Sequence, residues 1–94
     1  MATQKEFKAM LIQVDALTSE AQTAAKLKKA LAIVSAFQNK NNAEIEAYKN
    51  AEKFGKRLGS MVNIREAAEE VADRLEVKIN NKSFAPVRFF KIAA

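Results

Sequence analysis

Only two glycines, Gly55 and Gly59, and one proline, Pro86, interrupt this chain of 94 residues. An all-β domain needs turn chemistry about every 8–12 residues, and this sequence cannot supply it. Helices need fewer turns and keep Gly and Pro out of their interiors. An all-α fold is therefore expected, and the spacing of the apolar residues agrees with it.

Phe7, Met10, Leu11, Val14 and Leu17 recur at steps of three and four, which is one face of a helix. Thr3 and Glu6 form a capping box at its start. A second box, Ser19 to Gln22, restarts the chain. Ala24, Leu27, Leu31, Val34 and Phe37 then mark a second helical face, widened by Ala30 and Ile33. The polar run Asn39-Lys40-Asn41-Asn42 reads as a break, because asparagine favours caps and turns. Beyond it Ile45, Tyr48, Ala51, Gly55 and Leu58 keep helical spacing, and Gly59 suits a position just past a helix end. Asn63 and Glu66 offer a fourth start, followed by Ile64, Ala67, Ala68, Val71, Ala72 and Leu75. The expectation is an antiparallel four-helix bundle with helices at about 4–17, 20–38, 43–58 and 64–75.

At the end of the fourth helix the period changes. Leu75, Val77 and Ile79 alternate with polar neighbours, and Asn80-Asn81-Lys82-Ser83 is turn chemistry. A C-terminal β-hairpin pairing 75–79 with 86–91 is one reading, with Pro86 at a strand start or on an edge. A short extension opening a helix at Pro86 is the other. The chain thus divides into a bundle over 1–76 and a basic, aromatic segment over 77–94.

A chain of this size buries only roughly 60–65% of its unfolded surface, so a homo-oligomer is expected to supplement the core. There is no cysteine, which excludes disulfides and thiolate metal sites, and no histidine, the commonest general base. No set of side chains suggests a reaction, a cofactor or a catalytic residue, so the protein is not expected to be an enzyme. The acids Glu66, Glu69, Glu70 and Asp73 could meet a divalent cation, but helix-surface acids are usually solvated, and no metal is expected. The longest apolar run, Ala30–Val34, is far too short to span a bilayer, and the N-terminal stretch has no apolar signal region. A cytoplasmic location away from membranes is expected.

The net charge of +5 is unevenly placed. Residues 21–60 carry eight basic groups against three acids, and residues 77–94 carry four against none. Residues 61–76, between them, carry two basic groups against five acids. Two basic groupings follow. Lys49, Lys53, Lys56 and Arg57 share one helical face in the four-helix reading, suited to tracking phosphates. In the tail, Lys78, Lys82, Arg88 and Lys91 are interleaved with Phe84, Phe89 and Phe90, a mixture that suits phosphates and stacked bases. The plain alternative is a solvated helix face and a phenylalanine lid on the core. A helix-turn-helix built from 67–75 and 86–92 would need to close a ten-residue gap, too long for the usual turn. The expected function is a small nucleic-acid-binding module, DNA-binding or RNA-binding, of the kind used as a bacterial or viral regulator. The rival expectation is a protein-interaction module, such as an inhibitor, adaptor or assembly component. It would meet an acidic protein partner through Phe84, Phe89 and Phe90.

Overall fold

The computed structural model describes residues 3–19 and 23–84. Three helices make up this part: α1 (Gln4–Thr18), α2 (Ala24–Asn50) and α3 (Lys56–Asn80). The all-α class agrees with the sequence. The four-helix bundle is corrected to three helices, two of them much longer than expected.

α1 lies where its apolar spacing places it. The Thr3 Oγ1 accepts the Glu6 N–H at 3.2 Å, fixing the N-terminus. At the other end Ser19 is the C-terminal cap of α1, not the start of α2. Thr23 takes that role, its Oγ1 accepting the Lys26 N–H at 3.3 Å.

The expected break at 39–42 does not exist, because α2 runs straight through it. The reason is tertiary. Ala30, Val34, Asn41 and Ile45 are all buried, and they continue one stripe across the polar run. Three exposed asparagine or lysine positions on the outer side cost only a few tenths of a kcal/mol each in propensity, and packing outweighs that. The start expected at Asn63 is absent for the same reason. Leu58, Met61, Ile64, Ala68, Val71, Ala72 and Leu75 form one unbroken buried stripe along α3.

The hairpin reading of the tail is corrected in its first strand. Residues 75–79 are the last turns of α3, with Leu75 and Ile79 on the packed side and Val77 exposed. The apparent alternation was a helical i,i+4 pair with an exposed residue between. There is no strand among the described residues. The proposed second strand, 86–91, lies outside them.

α2 and α3 pack along their length as an antiparallel hairpin, and α1 lies mainly on α2. The main core gathers Phe7, Met10 and Val14 from α1, Leu27 and Val34 from α2, and Ile64, Val71 and Leu75 from α3. Burying one such leucine contributes about 1.5–3 kcal/mol. Phe7 meets Phe37 at 5.8 Å between ring centroids, and Glu6 pairs with Lys40 at 3.6 Å. These contacts place the N-terminus of α1 beside residues 37–40. A helix of 15 residues spans about 22 Å, whereas the 27 residues of α2 span about 40 Å. The far half of the hairpin therefore projects beyond α1 and has its own small core of Ile45, Leu58 and Met61, flanked by Tyr48 and Val62.

Asn41 sits where the two cores meet. It is fully buried, and its Nδ2 donates to the Met61 carbonyl at 3.2 Å. Its Oδ1 is buried with no hydrogen-bond partner among the described residues. A single polar group in an apolar seam favours one register, because any slip leaves the amide wholly unpaired.

Asn41→Asp tests this burial. Protonated, the carboxyl can donate to Met61 as the amide does; ionised, it is a buried charge without a partner. Burial raises its folded-state pKa above the ordinary value of about 3.9, so stability is lost as pH rises through that range. Urea unfolding should show the variant closest to wild type below about pH 4 and weaker by roughly 3 kcal/mol or more at neutral pH. A deficit that does not change with pH would contradict the packing.

Candidate nucleic-acid interface

The tip of the hairpin is built by the turn between α2 and α3. α2 ends in a left-handed cap: Glu52 has φ 56°, its N–H donates to the Lys49 carbonyl at 3.0 Å, and the Lys53 N–H donates to the Tyr48 carbonyl at 2.9 Å. This pairing of bonds satisfies carbonyls that a helix end leaves open. It is usually built on glycine, which reaches positive φ without strain. The same bonding closes α3, where Lys82 has φ 52° and the Ser83 N–H donates to the Lys78 carbonyl at 2.9 Å.

The turn fixes side chains as well as backbone. The Lys53 Nζ lies 5.6 Å from the centroid of the Tyr48 ring, a cation–π distance. Phe54 follows and is 70% exposed. Gly55 then caps α3 without a side-chain hydrogen bond, and the first turn of α3 holds Lys56 and Arg57 with no acid. Positive side chains beside the positive end of a helix dipole raise the local potential.

Lys49, Lys53, Lys56 and Arg57 therefore do not share one helix face. They come from the last turn of α2, the turn itself and the first turn of α3, and all four are exposed. The hairpin still gathers them at one end of the molecule. Over residues 49–57 they stand against a single acid, Glu52.

At the opposite end, the exposed Lys26, Lys28 and Lys29 of α2 lie on the same end of the hairpin as the exposed Glu69, Glu70, Asp73 and Glu76 of α3. Charge of both signs is mixed there. Counted with Arg74, Lys78 and Lys82, that end holds six basic groups against four acids, whereas the tip holds four against one over residues 49–57. Among the described residues, no group of three His, Cys, Asp or Glu side chains is placed to hold a metal ion.

The second basic grouping is not joined to the tip. Lys78 is half-buried in the last turn of α3 and Lys82 is exposed just beyond it. The 25 residues of α3 put that end about 37 Å from the tip. Phe84 is exposed at 36%. Arg88, Lys91, Phe89 and Phe90 lie outside the described residues. No helix among the described residues is long and apolar enough to cross a membrane.

Phe54 was the feature hardest to see in the sequence, where it reads as a neighbour of the helical stripe. Its signal is the run Lys53-Phe54-Gly55-Lys56-Arg57, a glycine and a ring enclosed by cations. Such a run suits a turn better than a helix interior. Comparison with protein-family models, curated proteins and solved structures finds no match. The interface is therefore read from its own geometry.

Two backbone features of the tip can be tested directly. Glu52→Gly removes the side chain that opposes positive φ, and Gly59→Ala adds a Cβ into open space in an exposed part of α3. Each should stabilise the protein by about 0.5–1 kcal/mol in urea unfolding. Destabilisation by either variant would contradict the turn described.

Proposed function

We propose that this protein is a small non-enzymatic nucleic-acid-binding module whose contact surface is the tip of the α2–α3 hairpin. One observation carries the reading. Four basic side chains and one exposed ring are gathered at a projecting end, against a single acid. Two features of that end run against local stability: an α3 N-terminus with no side-chain cap and with cations in its first turn, and a glutamate at positive φ. A surface that concentrates positive charge despite such costs is suited to a polyanion. Lys and Arg that neutralise phosphates release counterions, which is the main source of affinity in such contacts. The role proposed is that of a cytoplasmic regulator of bacterial or viral type, which fits its size.

This reading predicts salt-dependent binding. By fluorescence anisotropy, the logarithm of the association constant should fall against the logarithm of salt concentration with a slope of about −3 to −4, for about four phosphate contacts. Replacing Lys49, Lys53, Lys56 and Arg57 with alanine should remove most of that slope while leaving helicity intact. Binding indifferent to salt, or unchanged in the quadruple variant, would rule the tip out as the contact surface.

A protein contact is the second reading, and Val77 and Phe84 favour it. Val77 is 56% exposed, with Asp73, Arg74 and Lys78 around it, and Phe84 follows beyond the helix end. An apolar side chain among charges at the far end from the tip suits a second copy or an acidic protein partner. Sedimentation should then show self-association that Val77→Lys abolishes; a wild type that stays monomeric at high concentration removes the support for self-association.

A further inference from the structure

We infer that the tip prefers single-stranded nucleic acid, with Phe54 stacking on an unpaired base; this rests on the nucleic-acid reading above. The tip holds two aromatic rings. Tyr48 is half-buried against the small core of the arm and has Lys53 over its face. Phe54 is held out at the apex, 70% exposed, with its backbone bracketed by the α2 cap and the start of α3. Leaving a phenylalanine so exposed gives up the hydrophobic gain of burying it, and nothing in the small core of Ile45, Leu58 and Met61 recovers it.

A phenyl ring carries no hydrogen-bonding group, so in a duplex groove it can offer a base edge no more than apolar contact with a thymine methyl. What it can do is lie on the face of a base. In a duplex those faces are covered by their neighbours, and opening one step costs about as much as one stacked ring returns. On a strand already unpaired the stacking gain is kept in full. The flanking cations complete the arrangement. Lys53 precedes the ring, Lys56 and Arg57 follow it, and a stacked base is attached to phosphates on both sides. The ring can be removed without disturbing the fold, because it belongs to neither core.

Phe54→Ala and Phe54→Trp should be compared with wild type on a single-stranded oligonucleotide and on a duplex of the same length, by anisotropy at low salt. Thermal unfolding should be measured alongside. Phe54→Ala is expected to weaken single-strand binding about 5- to 100-fold, to leave duplex binding and the salt slope unchanged, and to keep the wild-type melting temperature. Phe54→Trp should bind the single strand at least as well as wild type, with its indole fluorescence quenched on binding. If wild type binds in a salt-dependent way but Phe54→Ala binds the single strand equally well, the stacking inference fails while the phosphate reading stands. Equal weakening on both substrates also overturns it, pointing instead to a wedge in duplex steps. If wild type binds neither substrate at low salt, the nucleic-acid reading fails and takes this inference with it.

Discussion

The seam between α2 and α3 is the contact on which everything else in this protein depends. It brings Leu27 to Leu75 at one end and Ile45 to Leu58 and Met61 at the other, with Asn41 bonded to Met61 between them. Ala30, Ala68 and Ala72 contribute small buried side chains to the seam, which lets two long helices approach closely. α1 is too short to cover more than about half of this pair. The result is a body with three helices and an arm with two. Only the body has a core large enough to dominate stability.

On the proposed reading, that division separates the work of folding from the work of binding. The body buries Phe7, Val14, Leu27 and Leu75, and it mixes lysines with carboxylates on its outer surface. The arm ends in cations and a ring, on a turn whose local chemistry opposes its own stability. Glu52 sits at positive φ, and Lys56 and Arg57 sit at the positive end of α3. Departures from local preference that gather in one place are expected at functional sites, because elsewhere they would be removed as plain defects. Positive φ recurs at Lys82 beyond the far end of α3, so what sets the tip apart is the joining of such a turn to an α3 start that holds cations and no acid.

How far the sequence disclosed this depends on the element. α1 was legible to within a residue, because its apolar spacing and the Thr3 cap agree with each other. The long helices were not. Asn41 looks like a turn residue, and only the burial of the stripe around it shows that tertiary packing overrides propensity. The true turn was hidden for the opposite reason. Ile45, Tyr48, Ala51, Gly55 and Leu58 keep helical spacing across a hairpin, and the residue at positive φ is Glu52 rather than a glycine. Lys49, Lys53, Lys56 and Arg57 do lie together at one end of the hairpin, yet the helix face assigned to them does not exist. Their proximity comes from the chain reversing direction. Phe54 gained its meaning only once that reversal was known, and Val77 looked like a strand residue because its neighbours Leu75 and Ile79 pack while it does not.

The central claim is that binding is confined to one end of the hairpin, remote from the folded body. Backbone amide NMR of the labelled protein during titration with a short oligonucleotide tests it most directly. Amide shifts should move over about residues 48–58 and stay still in α1, in the first half of α2 and in the second half of α3. Movement centred on Lys26 to Lys29, or on Lys78 and Lys82, with the tip unperturbed, would contradict the account.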